Sequence, residues 1–183
     1  MKPSMHNLHN LLYKLVSCGS EAAWIYTCGT AYDAWRCCPG GHDLVWFLAK
    51  LGLDRKRIVW IVCQQARLAE VYGNSNDSRP LEAIKAAEDW TRGKITVQDV
   101  CVYASAAYDA AHTSQHFDDR GFAYAAASAA MAVSTVTTAA FVADYAAGIS
   151  TPALRKEILL NSAKIVRKNV AWKEVKQLME NYK

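Results

Sequence analysis

The feature that most constrains the fold of this chain is an alanine-rich stretch from Ala104 to Ala147, where 17 of 44 residues are alanine. Alanine has the highest helix propensity, and its small side chain lets neighbouring helices approach closely. A polar break from His116 to Gly121 divides the stretch. We therefore predict close-packed helices here, with one long alanine-rich helix running from Ala123 to Ala147 through the middle of the molecule.

The same region requires a test for a membrane span, because no charged residue occurs from Gly121 to Ala143. That length is sufficient to cross a bilayer. The segment is rich in alanine, with several serines and threonines, however, and it contains no leucine or isoleucine, so its insertion is weakly favoured. No apolar core follows Lys2, which argues against a secretory signal. We expect a soluble, cytoplasmic protein without a membrane partner.

The rest of the chain also carries helix signals, with apolar residues at helical spacing between capping residues and glycines. Helices are predicted to begin at Ser4, Ser20, Thr30, Asp54 and Thr96, and the predicted helix ends are Gly19, Gly29, Gly52 and Gly93. No segment has the pattern of a strand. We predict an all-α fold, a single compact bundle of about eight to ten helices with residues 1–183 as one domain.

Six cysteines occur in the chain, at Cys18, Cys28, Cys37, Cys38, Cys63 and Cys101. Without a secretory signal, disulfides are not expected in the reducing cytoplasm. Unoxidised cysteine is among the most frequently buried residue types. We predict that these cysteines are buried free thiols.

The formal net charge of +4 is concentrated at the C-terminus. From Arg155 to Lys183 there are eight basic and three acidic residues, a balance of +5, which leaves −1 for the remainder. Such a basic helix face is typical of a solvated surface, and an anion-binding role stays open. The modest excess does not indicate a specific nucleic-acid partner.

Motifs for catalysis or cofactor binding are missing from the sequence. It has no nucleophile elbow, dinucleotide fingerprint or phosphate loop. His112 and His116 share a helix face with Asp109 one turn earlier, but the glutamate that follows the first histidine in metalloprotease helices is absent. We predict no enzyme activity, no catalytic residue, no metal and no cofactor.

The most ordered polar pattern begins at Asp77 and Ser78, one of which is expected to cap the helix that starts near Pro80. Glu82 then lies near the positive end of that helix, where a carboxylate is favoured.

Arg79 is unfavourable at the same helix end, so we expect it to reach a carboxylate elsewhere, with Asp43 or Glu70 as the leading partners. Most tryptophans are expected in the core, although one or two beside an arginine would suit a ligand pocket. The candidate ligand- or partner-binding residues are Trp35, Arg36, Asp43, Arg67, Asp77, Arg79, Glu82 and Trp90.

From Asp77 to Gly93 the chain reads Asp-x-Arg-Pro, then Ala-Ile-x-Ala-Ala-x-x-Trp-x-x-Gly. Other segments of the same pattern are Cys18 to Trp24, Thr30 to Trp46, Leu51 to Asp54, Cys63 to Arg67 and Ala163 to Arg167. Together they resemble the all-helical, alanine-rich immunity proteins of bacteria and phages, the immunity-five-like group, over nearly the whole chain. This resemblance implies a small accessory protein of conflict systems and carries over no catalytic residue.

Two functions remain open at this point. The first is a non-enzymatic protein that neutralises a toxin or defence component by direct binding, with a partner face of exposed aromatics and arginine. The alternative is a phage anti-defence protein that sequesters an anionic, cyclic nucleotide, with Arg36, Arg67 or Arg79 beside a tryptophan. A deep basic pocket would favour the alternative, and an exposed apolar patch would favour a protein partner. The sequence leaves a homo-oligomer open.

Overall fold

A computed structural model of the chain describes residues 28–73, 76–148 and 151–182. The described residues form α-helices and one 3₁₀ segment, with no strand among them, so the predicted all-α fold is confirmed. The helices are α1 (Ala31–Cys37), α2 (Gly41–Lys50), α3 (Arg55–Glu70), α4 (Arg79–Thr91), α5 (Val97–Thr113), α6 (Phe117–Met131), α7 (Phe141–Ala147), α8 (Pro152–Asn169) and α9 (Trp172–Asn181). The helices predicted from Ser4 and Ser20 lie outside the described residues.

Local signals determine where these helices begin and end. Thr30, Asp54 and Thr96 each accept a hydrogen bond from the backbone N–H three residues later, which satisfies a donor that has no partner within the helix. After α2 and α4 the chain turns through Gly52 and Gly93, with φ of +81° and +74°. These are left-handed conformations that glycine adopts without a steric penalty.

Helix α6 lies at the centre of one half of the bundle, where it packs against α3, α4, α5 and α7. Six of its alanines are buried, so the neighbouring helices contact it closely, as the alanine content predicts. Helix α3 also packs against α8, which crosses α2 and α7 on the other side. One continuous apolar core therefore connects the two halves.

The alanine-rich helix is shorter than predicted, because α6 ends at Met131 and does not continue to Ala147. The hydroxyls of Ser134 and Thr138 donate to backbone carbonyls three residues earlier, at Met131 and Thr135. Such side-chain bonds compete with helix continuation, and β-branched residues add to the effect. The chain instead forms a 3₁₀ segment, Val136–Ala140, before α7. None of the described helices has the length and apolar character needed to cross a bilayer.

Arginine side chains attach the C-terminal helices to the first half of the chain. Arg167 on α8 donates to the carbonyls of Trp35 and Cys38, at 3.0 and 2.5 Å, where α1 ends. Arg57 on α3 pairs with Glu174 on α9. Part of the basic charge of the C-terminal segment thus has a structural role.

The five described cysteines are free, as predicted. Their predicted burial is right for Cys38 and Cys63, where desolvation raises the pKa of each thiol far above its ordinary value. It is wrong for Cys37 and Cys101, which lie on the solvent-facing sides of α1 and α5, while Cys28 is half-buried. Cys18 lies outside the described residues.

Candidate functional site

A pocket of about 580 Å³ opens between the end of α3, the start of α4 and the turn that connects α5 to α6. Its lining combines carboxylates with aromatic, apolar and small polar side chains, and the described lining includes no lysine or arginine. The carboxylates are Glu70, Asp77, Asp118 and Asp119, and the larger apolar side chains are Tyr72, Pro80, Leu81 and Phe122.

Asp77 and Arg79 form a compact pair at the edge of this pocket. Asp77 Oδ1 accepts the backbone N–H of Arg79 at 3.0 Å, so Asp77, and not the side chain of Ser78, caps α4. The Arg79 guanidinium donates to both carboxylate oxygens, at 2.9 Å from Nε to Oδ1 and 2.6 Å from Nη2 to Oδ2. These hydrogen bonds hold the pKa of Asp77 below the ordinary value of 3.8.

The expectation that Arg79 reaches Asp43 or Glu70 is therefore wrong. A carboxylate two residues earlier offers a bidentate contact that needs no distant segment. The guanidinium also lies 3.4 Å from Thr113 Oγ1 on α5, which connects the start of α4 to the end of α5.

Arg67 on α3 is likewise engaged by carboxylates. Its Nε donates to Glu88 Oε1 on α4 at 3.1 Å, and its Nη1 donates to Glu70 Oε2 at 3.2 Å. The hydrogen bond with Glu88 is the main cause of the raised pKa of Arg67. The side chain connects α3 to α4.

The remaining candidates lie elsewhere. Trp35 is buried in α1, and Arg36 beside it is largely exposed, 3.9 Å from Asp33. Asp43 lies at the start of α2, where its carboxylate is 3.2 Å from the ring of His42.

Trp90 and Glu82 both lie on α4, but at opposite ends of the helix. Trp90 is near the C-terminal end of the helix, about 16 Å along the axis from Arg79, with Lys56 over its ring. Glu82 is exposed in the first turn. Of the eight candidates, Asp77 and Arg79 lie together, and Arg67 is near them because its partner Glu70 lines the same pocket as Asp77. The binding role of the eight residues stays a prediction.

A second surface, which the sequence reasoning missed, is an exposed aromatic cluster on α5, α6 and α7. We call it the aromatic surface and define it by Tyr108, His112, Tyr124, Phe141 and Tyr145. The centroids of Tyr124 and Tyr145 are 5.4 Å apart in a stacked arrangement, and Tyr108 meets Tyr124 edge to face at 5.6 Å. His112 lies 4.4 Å from Tyr108, and Phe141 lies 6.4 Å from Tyr145.

The aromatic surface extends along α6 towards its N-terminus. Arg120 lies one turn before Tyr124, and its guanidinium is 5.5 Å from the ring centroid of Phe117, which is 60% exposed. The combination of aromatics and arginine expected from the sequence is present, although at other positions. The sequence signal for this surface is aromatic side chains four residues apart, such as Phe141 and Tyr145, in segments that are otherwise rich in alanine.

The two histidines that share a helical spacing do not converge. His112 belongs to the aromatic surface, with Nδ1 3.0 Å from the Tyr108 carbonyl oxygen. His116 precedes α6 and lines the pocket. Within the described ranges no group of three or more His, Cys, Asp or Glu side chains is arranged to hold a metal ion.

The family model described as Imm-5 like putative immunity protein matches residues 54–177. The chain belongs to this family. The match includes the Asp77–Arg79 pair, the pocket and the aromatic surface, whereas Trp35 and Asp43 precede it. Membership indicates an immunity-type function, in which the protein binds a partner protein. No match was found among curated proteins or solved structures.

Proposed function

We propose that this protein neutralises a toxin or a component of a defence system by binding it directly, without turnover, through the aromatic surface. The observation that carries the proposal is the exposed ring cluster on three adjacent helices. Three of its members, Tyr108, Phe141 and Tyr145, are between 40 and 54% exposed.

The chemistry of the aromatic surface suits protein recognition. Tyrosine and arginine are enriched among the residues that dominate binding energy at protein interfaces. The rings contact one another, so their side chains have little rotational freedom left to lose on binding. The opposite face of α6 is packed through alanines, which holds this helix in place. Arg120 adds a charged group at the edge, which would guide association.

The alternative, nucleotide sequestration, has less support from the same geometry. Arg67 and Arg79 donate to carboxylates, and Arg36 lies on α1 beside Asp33. Arg92 does lie over the ring of Trp60, 5.6 Å from its centroid, but it also pairs with Asp89 and is not one of the three arginines named for this function. The pocket presents carboxylates, which repel phosphate groups.

The decisive experiment compares the wild-type protein with the variant Tyr108→Ala/Tyr145→Ala. The partner is first captured from host or phage-infected cells with the wild-type chain, then expressed and purified, and its Kd is measured by titration calorimetry. Removing two central rings is expected to raise the Kd by roughly a hundredfold, as for two interface hot spots. The matched control is Leu160→Ala/Lys164→Ala, on the exposed face of α8, which should leave the Kd within about twofold.

Equal affinity of the aromatic double variant and the wild type would contradict the proposed surface. Native mass spectrometry of the purified protein tests the alternative, since a nucleotide released intact in equimolar amount would support sequestration. A nucleotide altered in excess over protein would overturn the non-enzymatic interpretation. Thermal unfolding of each variant confirms that the fold is retained.

A further inference from the structure

We propose that His42 is a pH-sensitive link between α2 and α7, and that its protonated form holds Tyr145 in place within the aromatic surface. Helix α7 carries Phe141 and Tyr145, two members of that surface. The regulatory meaning of the link rests on the proposed function. The link itself is a property of the free protein and is tested there.

The His42 ring lies between two carboxylates that belong to different helices. Its Nε2 atom is 3.2 Å from Asp43 Oδ1 on α2, and its Nδ1 atom is 3.4 Å from Asp144 Oδ1 on α7. The side chains of His42 and Asp43 are only 19% and 12% exposed, so dissolved ions screen their charges weakly. The ring therefore connects the start of α2 to the middle of α7.

The protonation state of the ring decides whether both contacts are favourable. A neutral imidazole carries a proton on one nitrogen only, so its other nitrogen presents a lone pair to a carboxylate oxygen. The imidazolium carries a proton on each nitrogen, and its positive charge attracts both carboxylates. Favourable contact with α2 and α7 at the same time is thus a property of the charged form.

The residues around the ring hold it and Asp43 in this arrangement. A Cβ atom at Gly40 would lie 2.7 Å from the His42 ring, so glycine leaves the ring room against the backbone. The Cys38 thiol donates to the Gly40 carbonyl at 3.2 Å and to Asp43 Oδ2 at 3.7 Å. Burial raises the pKa of this thiol, so it remains a donor over the pH range in which histidine titrates.

The elements packed against the start of α2 add little that titrates between pH 5 and pH 8. From α3 and α8, Gln65 and Ser162 approach Gly41, and neither side chain ionises. The 3₁₀ segment Val136–Ala140 contains no ionisable residue. Arg167 of α8 donates to the Cys38 carbonyl and stays charged. Among the described residues, the change of charge in this cluster is therefore centred on the histidine.

The link reaches the aromatic surface through adjacent residues of α7. Tyr145 follows Asp144 in the chain and stacks on Tyr124 of α6, with 5.4 Å between the ring centroids. A change of the contact at Asp144 therefore acts on the short helix from which Tyr145 reaches its partner ring. When His42 is neutral, we expect the stacked pair to open more often.

The test follows the free, full-length protein by NMR from pH 5.5 to pH 8.5, with ¹⁵N-labelled amides and ¹³C-labelled tyrosine rings. The α7 amides and the Tyr145 ring should shift with the same midpoint as the His42 ring. Hydrogen-exchange protection of the α7 amides, corrected for intrinsic rates, should fall roughly threefold or more as His42 loses its proton. His42→Gln and Asp144→Asn should each remove this pH dependence. The control His116→Gln replaces an exposed histidine outside both helices and should retain it.

The melting temperature gives an independent readout with a defined sign. Stabilisation by the protonated ring is present below the ordinary histidine pKa of about 6.5 and is lost as the pH rises. The difference in melting temperature between the wild type and His42→Gln should therefore be larger at pH 5.5 than at pH 8.5. Asp144→Asn gives the same comparison if His42→Gln does not fold.

Two results would overturn the link. One is a His42 titration that leaves the α7 amides and the Tyr145 ring unchanged, and the other is a pH dependence at α7 that persists in both His42→Gln and Asp144→Asn. Either result would leave partner binding by the aromatic rings unaffected, because no partner is present in these measurements. Conversely, an unchanged Kd in Tyr108→Ala/Tyr145→Ala would contradict the proposed function and leave the link in place.

Discussion

At the scale of single residues, Gly41 shows how one atom limits the approach of two helices. It is buried at the start of α2, where a Cβ atom would lie 1.7 Å from Ser162 Oγ and 2.5 Å from Gln65 Nε2. The nearest backbone atom of Ser162 would be only 2.8 Å away, so rotation of the serine side chain cannot relieve the contact. Glycine is required here because α2 and α8 are in direct backbone contact.

We expect Gly41→Ala to lower the free energy of unfolding by about 3 kcal/mol, because α2 and α8 must separate to admit the methyl group. Urea denaturation followed by circular dichroism measures the loss. The matched control is Gly29→Ala, where a Cβ atom would meet nothing within 4 Å, and its effect should stay within about 0.5 kcal/mol. Equal stability of the two variants would show that α2 and α8 are further apart than described.

The Asp77–Arg79 pair predicts a specific dependence of stability on pH. The pKa of Asp77 is lowered on folding, chiefly by the Arg79 guanidinium, so the ionised carboxylate stabilises the fold at neutral pH. This contribution is present above the ordinary pKa of 3.8 and is lost as the pH falls through the lower folded value. The difference in melting temperature between the wild type and Asp77→Asn should therefore be largest near pH 7 and shrink below pH 4.

Arg79→Ala should also lower the melting temperature near pH 7, and the effects of the two substitutions should be less than additive in the double variant, since the two side chains interact directly. Glu82→Gln, in the same helical turn, is the control. A difference between wild type and Asp77→Asn that stays constant from pH 7 to pH 2 would show that the pair does not contribute through ionisation.

At the scale of elements, the close packing of α6 and of the 3₁₀ segment against their neighbours requires the small side chain of alanine. Ala129 and Ala139 are fully buried, so Ala129→Leu and Ala139→Leu should each lower the free energy of unfolding by about 1–3 kcal/mol through overpacking. Ala153→Leu, at an exposed position in the first turn of α8, is the matched control and should be nearly neutral. Thermal or urea unfolding gives the comparison, and neutral outcomes at both buried sites would contradict the close packing of these segments.

At the scale of the whole molecule, we expect residues 1–183 to unfold as one domain. The core is continuous, and Arg167 and Arg57 connect the C-terminal helices to α1 and α3. Unfolding followed by far-ultraviolet circular dichroism and by tryptophan fluorescence should therefore give coincident, single transitions. Two separated transitions would show that the chain contains independently stable parts.

The sequence by itself determined the fold class and the positions of most helices. Thr30, Asp54 and Thr96 begin helices, and Gly52 and Gly93 follow their ends, because capping and left-handed turns depend on residues only a few positions apart. The capping role of Asp77 was accessible for the same reason. The alanine-rich stretch likewise predicted close helix packing, which α6 confirms.

Only the tertiary structure decided which side chains share a surface. The 3₁₀ segment turns the chain after α6 and places Tyr145 against Tyr124, while Tyr108 reaches the same ring from α5. No local pattern encodes these contacts, since they join residues on three helices. Arg79 and Arg67 could each pair with several carboxylates, and the geometry of α3 and α4 selects among them. The pocket has the same origin, because it exists only where the ends of separate helices meet.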